Sequence, residues 1–219
     1  MRPDPPFRAL AITPDHAPAM SAVTRWLDAG IPGDRIAVLL RRAGAPGLPL
    51  LDDPAFLSLA ENCVSAGVTA LLSVQTEELA TPDLTSRLGP VQGVHIKGDP
   101  APAVMRRARA LLGPQALLGA SVHGPARDME GACAYVTAAP IFDLDPTSPP
   151  GKPTRGQGLE HLKAWAARIP TLALGGVNAP RVGMCAQAGA HGVAGIRLFF
   201  GEGTDVGETV DAMRVHGWI

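Results

Sequence analysis

The side chains best suited to chemistry stand near the ends of short apolar runs. His123 ends the run from 116 to 123, and imidazole is the side chain whose pKa suits proton transfer near neutral pH. His123 is therefore a candidate acid–base group; the alternative is a structural histidine that bonds a loop carbonyl. Gly175 and Gly176 end a second run, and Ile196 and Arg197 end a third. Because glycine lets backbone N–H groups approach an anion closely, we predict a phosphate-binding site at these four residues.

These residues need elements that bring them together, and apolar runs alternate with helix-like segments along the chain. We predict strands at 8–13, 34–41, 68–74, 91–96, 116–123, 134–142, 170–176 and 191–197, and helices at 17–30, 54–67, 79–88, 99–113, 125–133, 158–169, 178–190 and 207–219. Such alternation requires parallel strands with right-handed crossovers. The main competitor, an open doubly wound sheet, would carry Gly-x-Gly-x-x-Gly after the first strand, and this chain does not. We therefore expect a compact (β/α)8 TIM barrel, one domain over residues 1–219, with the site at the carboxyl ends of the strands.

Composition narrows the classes of function. The formal net charge of -1 over 219 residues gives no reason to expect binding to nucleic acid or to an anionic membrane surface. No run of about 18 apolar residues occurs, so we expect no transmembrane helix. Cys63, Cys133 and Cys185 are far apart and lack metal-binding spacing, which predicts reduced thiols in a cytoplasmic protein without a metal site.

Three segments of the C-terminal half carry a family resemblance. They are LGASVH at 118–123, AYVTAAPIFDLDPTSPPGKPTRGQGLEHL at 134–162, and PTLALGGVNAPRVGMCAQAGAHGVAGI at 170–196. Together they resemble the thiamine-phosphate synthase/TenI superfamily. The resemblance covers roughly residues 117–200 and implies a compact barrel that binds a small phosphorylated heterocycle, thiazole phosphate, often as a homodimer.

The resemblance also implies a role for the loop at 143–157. In the family, Thr, Ser and Lys side chains of this loop contact the phosphate, which carries over to Thr147, Ser148 and Lys152. The loop is longer than most βα connections, as binding loops often are. The alternative is that its charged side chains are simply solvated.

Two activities share this fold. The synthase joins thiazole phosphate to a pyrimidine pyrophosphate with Mg²⁺, whereas TenI resembles a thiazole tautomerase that moves a proton and needs no metal. Arg41 matches an arginine that grips the pyrophosphate in the synthase, and His123 matches the proposed acid–base histidine of TenI. Arg197 stands where the family has a small hydroxyl residue, so it either adds a charge to the phosphate or fills its site.

The N-terminal half departs from the synthase pattern. Leu39 and Ala43 stand where the synthase carries Gln and Lys, and Val74 and Gln75 replace its Asn-Asp pair. Asp99 is the one acid left near the end of the fourth strand. Because Mg²⁺ prefers carboxylate oxygens, these replacements disfavour the synthase reaction.

We therefore expect a TenI-like thiazole tautomerase without a cofactor. The alternatives are a diverged thiamine-phosphate synthase, which would use Mg²⁺, and a catalytically silent barrel that binds a phosphorylated heterocycle.

Overall fold

Eight parallel strands close into a barrel in the computed structural model, which describes residues 5–129, 131–144 and 155–219. Each strand pairs with the next along the chain, and the last pairs with the first through Ala9 and Val193. The strands are β1 (Ala9–Ile12), β2 (Ile36–Leu40), β3 (Thr69–Val74), β4 (Gly93–Ile96), β5 (Leu117–Val122), β6 (Tyr135–Ala138), β7 (Thr171–Leu174) and β8 (Gly192–Gly195). The (β/α)8 prediction is confirmed.

The strands are covered on both faces, which is why they read as continuous apolar runs. Alternate residues point into the barrel and form one apolar cluster, which includes Phe7, Leu10, Leu71 and Tyr135. The other residues pack outward against the helices in a second, larger cluster. Inside the barrel, Gly119 leaves room for the ring of Tyr135, because a Cβ atom on Gly119 would overlap that ring.

Helices surround the barrel. They are α1 (Met20–Asp28), α2 (Pro54–Ser65), α3 (Leu84–Arg87), α4 (Pro102–Leu112), α5 (Gly158–Ala166), α6 (Ala179–Gln187), α7 (Arg197–Phe200) and α8 (Val206–Val215). Local sequence explains where several begin: the Asp53 side chain accepts a hydrogen bond from the N–H of Ala55 at the start of α2, and Asp205 accepts one from Glu208 in α8. No helix among the described residues is long and apolar enough to cross a membrane.

Several sequence predictions of local structure, for two helices and for the ends of three strands, need correction. The helix predicted at 125–133 does not form over its described residues, where Gly131 adopts a φ of 70° and the Arg127 side chain bonds the carbonyl of Pro100. The helix predicted at 79–88 is a 3-10 turn, Thr76–Ala80, followed by the single turn of α3. The sixth and seventh strands end at Ala138 and Leu174 rather than at 142 and 176. The eighth strand ends at Gly195 rather than Arg197, because Arg197 begins α7.

Candidate functional site

A cavity of about 640 Å³ opens at the carboxyl ends of the strands. Its lining contains every described residue that the sequence singled out for binding or catalysis, namely Arg41, His123, Gly175, Gly176, Ile196 and Arg197. Thr147, Ser148 and Lys152 were also predicted to bind phosphate, but they lie outside the described residues. Residues that are distant in sequence therefore meet at one place, as barrel topology requires.

The inner surface of the cavity is divided into a polar and an apolar half. Consecutive strands β3 to β6 contribute Ser73, His95, Ser121 and Thr137, whereas β7, β8, β1 and β2 contribute Leu174, Ala194, Ile12 and Leu39. The Thr137 hydroxyl is buried and has no hydrogen-bond partner among the described residues. The cavity can thus receive a flat ring that carries hydrogen-bonding atoms along one edge.

His95 is a buried member of the polar half. Its Nδ1 lies 3.1 Å from the Tyr135 hydroxyl and its Nε2 lies 2.9 Å from the Ser121 hydroxyl. Burial, helped by the charge of Lys97, lowers the pKa of His95 to about 3. The ring is therefore neutral near pH 7 and serves as one donor and one acceptor, in either tautomer, between Tyr135 and Ser121.

His123 differs from His95 because it is exposed on the rim of the cavity. Its backbone N–H donates a long hydrogen bond, 3.4 Å, to the carboxylate of Asp99. Asp99 in turn lies 2.8 Å from the Arg127 guanidinium. Burial opposes ionisation of Asp99, but the hydrogen bond and charge of Arg127 outweigh it and lower the pKa of the carboxyl. An ion pair thus holds the loop that carries His123.

The pair Gly175–Gly176 has a packing role that the sequence did not reveal. Both residues adopt positive φ angles, 91° and 66°, which glycine tolerates far better than other residues. A Cβ atom would come within 2.7 Å of Pro140 at the first position and within 2.7 Å of the Asp143 carbonyl oxygen at the second. The glycines therefore let the loop after β7 approach the loop after β6 while both residues line the cavity.

Lys97 is a cavity residue that the sequence analysis missed. Its Nζ donates a 2.7 Å hydrogen bond to the carbonyl of Ala45, in the turn after β2. Burial lowers the pKa of Lys97, Glu78 raises it, and the positive charge of Arg41 lowers it further. The available signal was strand alternation: Lys97 follows His95 by two positions and so faces the same side.

Arg41 lies at the end of β2, three strands away from β7, which leads to the glycine pair, in the order of the barrel strands. Its backbone N–H donates to the Thr13 hydroxyl at 2.9 Å, and that hydroxyl donates back to the Arg41 carbonyl at 2.8 Å. The guanidinium is 17% exposed and lies 3.4 Å from the exposed carboxylate of Asp15. Arg41 is thus a partly buried cation held in place by β1.

The side chains near the ends of β3 and β4 do not fit the Mg²⁺ that the family resemblance implies for a synthase. Val74 is buried and apolar, and the backbone N–H of Gln75 donates to the Glu78 carboxylate at 2.8 Å. The Glu78 carboxylate accepts hydrogen bonds from backbone N–H groups, including that of Gly47 at 2.8 Å, and Asp99 is paired with Arg127. The described residues contain no group of His, Cys, Asp or Glu side chains arranged to hold a metal ion.

Comparison with known proteins identifies similar sequences over most of the chain. The family described as thiamine monophosphate synthase matches residues 9–199. The chain is 29% identical to the thiamine-phosphate synthase of Gloeobacter violaceus, over 87% of this chain and 52% of that protein. It is 30% identical to the thiamine-phosphate synthase of Hyphomonas neptunium, over 88% of this chain and 86% of that protein. The chain thus spans about half the length of the first relative and most of the second.

Solved structures add support for the fold. A thiamine phosphate pyrophosphorylase from Pyrococcus furiosus superposes with a TM-score of 0.66 at 20% identity, over 95% of this chain and 96% of that one. The N-(5'-phosphoribosyl)anthranilate isomerase from the same organism gives a TM-score of 0.58 at 14% identity, over 95% of this chain and 99% of that one. At these identities the similarity shows a shared barrel fold.

Proposed function

Because this chain belongs to the thiamine monophosphate synthase family, we propose that it binds thiazole phosphate in the cavity and joins it to a pyrimidine pyrophosphate, forming thiamine phosphate. The observation that carries the proposal is a single cavity lined by several cationic side chains, Arg197 after β8 near the glycine pair, and Arg41 and Lys97 after β2 and β4. Two phosphorylated substrates need two groups of cationic side chains, one for each phosphate or pyrophosphate.

The similar proteins favour this reaction over the tautomerase expected from the sequence. Both relatives described above carry the name thiamine-phosphate synthase, and neither is named a tautomerase. The names of these relatives refer to thiamine biosynthesis, and the joining reaction is the alternative that these names support.

The cavity residues suit the two parts of this reaction. The apolar half of the inner surface can receive one face of a ring, and the hydroxyls of Ser73, Ser121 and Thr137 can bond ring nitrogens or an amino group. Joining the substrates releases pyrophosphate, whose negative charge grows as it departs and needs nearby cations. Arg41 and Lys97 are placed to supply them without any step that involves a metal ion.

A second candidate, thiazole tautomerisation, rests on His123. The side chain is exposed on the rim of the same cavity, where a titrating group could exchange protons between a bound ring and solvent. This reaction would need only the thiazole partner.

One assay separates the two candidates. We would incubate the purified chain with thiazole phosphate and the pyrimidine pyrophosphate, and separately with thiazole carboxylate phosphate alone, and follow products by chromatography. Thiamine phosphate that accumulates in proportion to the chain supports the proposal. Conversion of the carboxylate alone supports the tautomerase, and the absence of both products would contradict both candidates.

A pair of arginine variants tests the phosphate side of the cavity. Arg197→Gln should weaken thiazole phosphate binding about tenfold, because a charge-assisted hydrogen bond to phosphate is lost. Arg168→Gln is the matched control, since Arg168 is exposed at the opposite end of the barrel. Equal affinities of the two variants would remove Arg197 from the phosphate site.

A further inference from the structure

We propose that Arg181, on α6, is a positioning residue: it holds the turn after β7 so that the backbone N–H groups of Gly176 and Val177 are directed at a bound anion. The inference rests on the proposed function only in expecting a phosphorylated ligand at this turn. Arg181 is not among the described residues that line the cavity, whereas Gly176 and Val177 are. Arg181 therefore acts through the turn and not by touching the ligand.

The first observation is the contact between Arg181 and the turn. Its Nη1 donates a 2.6 Å hydrogen bond to the carbonyl of Gly176. Its guanidinium also lies over the ring of Phe142, 4.7 Å from the ring centre, in the loop after β6. Hydrogen bonds from a charged donor are among the stronger ones in proteins. One side chain thus fixes the Gly176 carbonyl and joins the two loops beside the cavity.

The orientation of the Gly176 carbonyl decides where the next N–H group points. The peptide bond from Gly176 to Val177 is trans, so the N–H of Val177 is directed away from that carbonyl and from Arg181. The N–H groups of Gly176 and Val177 make no backbone hydrogen bond within the part of the chain that the structure describes. Both are therefore available to an anion in the cavity.

The carbonyl of Gly175 is held in a similar way. It accepts a 3.1 Å hydrogen bond from the backbone N–H of Phe142, and this directs the N–H of Gly176 away from the loop after β6. Because Arg181 covers the ring of the same phenylalanine, it supports both peptide units of the turn. With both glycine carbonyls bonded to protein donors, the turn presents N–H groups to a ligand.

The helix that carries Arg181 does not explain this residue. Arg181 is the third residue of α6 and so lies in its first turn, where the helix dipole disfavours a positive charge. An arginine that served the helix itself would stand in the last turn. The contacts with Gly176 and Phe142 offset the unfavourable position, which assigns Arg181 to the turn after β7.

The test uses inorganic phosphate as the probe and follows the amide resonance of Val177 in a chain labelled with 15N-valine. Added phosphate should shift this resonance in the wild type, and the titration gives the affinity. Arg181→Met keeps a long side chain beside Phe142 but removes the donor. It should weaken phosphate binding about tenfold, because the turn must then be ordered when the anion binds.

Two further variants complete the test. Arg181→Lys retains a charged donor and should keep most of the affinity. Arg107→Met is the matched control, because Arg107 is an exposed arginine on α4 whose replacement removes the same charge, and it should bind phosphate as the wild type does. Circular dichroism of each variant establishes that it is folded, and the wild-type titration needs no variant.

The outcomes separate the positioning role from the reaction. A Val177 resonance that does not respond to phosphate in the wild type, or equal affinities for folded Arg181→Met and Arg107→Met, would overturn the role. Binding that is lost in Arg181→Met and restored in Arg181→Lys supports it even if the chain makes no thiamine phosphate, in which case only the proposed function fails.

An active chain allows a kinetic form of the same test. Arg181→Met should raise the KM for thiazole phosphate about tenfold and leave the KM for the pyrimidine pyrophosphate near its wild-type value, because only the turn after β7 is disturbed. An equal rise in both KM values would show a general structural effect and would overturn the role of Arg181 at this turn.

Discussion

The two histidines of the cavity differ in burial and therefore in what their side chains can do. His95 has both ring nitrogens within hydrogen-bond distance of hydroxyls and is buried, so it stays neutral. His123 is exposed on the rim, where an imidazole can exchange protons with solvent. The same side chain therefore serves structure in one place and can serve chemistry in the other.

We expect His95 to make the fold sensitive to acid. The unfolded chain takes up a proton near pH 6.5, whereas the folded imidazole resists protonation until about pH 3. Between these values the unfolded state binds more protons, so the free energy of unfolding should decrease as the pH is lowered, by at most about 5 kcal/mol. Urea unfolding at several pH values would measure this slope. His95→Gln should flatten it, and an unchanged slope in that variant would assign acid sensitivity to other groups.

His123→Asn tests the tautomerase candidate. The variant should still bind thiazole carboxylate phosphate, because the rest of the cavity is unchanged, while its single-turnover conversion falls about 100-fold with loss of the acid–base group. His216→Asn, which alters an exposed histidine after α8, is the control. Equal rates for wild type and His123→Asn would exclude an acid–base role for His123.

At the scale of elements, apolar periodicity was sufficient to predict the barrel and most strand positions. The failures occurred where side-chain contacts decide the backbone path: the segment around Arg127 follows carbonyls and Asp99 instead of forming a helix. Sequence analysis missed Lys97 for the same reason, because its side chain bonds the carbonyl of Ala45, in a turn more than fifty positions away. The glycine pair was found, but its contact with the loop after β6 depends on tertiary packing.

Gly119 on β5 offers a test of how the strands pack inside the barrel. Gly119→Ala should destabilise the fold by about 2 kcal/mol, because the added methyl group would overlap the Tyr135 ring on β6. Gly207→Ala on α8 is the matched control, since a Cβ atom there would lie 3.4 Å from the Asp205 carboxylate, an ordinary contact, and alanine favours a helix. Thermal unfolding of both variants would measure the difference. A Gly119→Ala variant as stable as wild type would contradict the packing described here.

At the scale of the whole molecule, barrel closure ties the first strand to the last. Each strand has two neighbours in the barrel, so no strand can leave without breaking two ladders of hydrogen bonds. The domain assignment over 1–219 and the homodimer both stay predictions. The prediction of a single domain has a direct consequence for unfolding.

We expect one cooperative unfolding transition. Trp26 lies in α1 and Trp165 in α5, both buried, so tryptophan fluorescence reports on opposite parts of the sequence while far-ultraviolet circular dichroism reports on all helices. The two signals should share one midpoint in guanidinium chloride. Separate midpoints would show that the chain unfolds in parts and would contradict a single domain.

The division of the cavity into polar and apolar halves has a stereochemical consequence. A flat ring can enter in two orientations related by a half turn, and only one directs its nitrogen atoms toward the strands that carry Ser73 and Thr137. A reagent that arrives from the open mouth would then meet one face of the ring and never the other. In the proposed joining reaction, a pyrimidine pyrophosphate whose reacting methylene carbon carries one deuterium in a defined configuration should therefore yield product of a single configuration at that carbon.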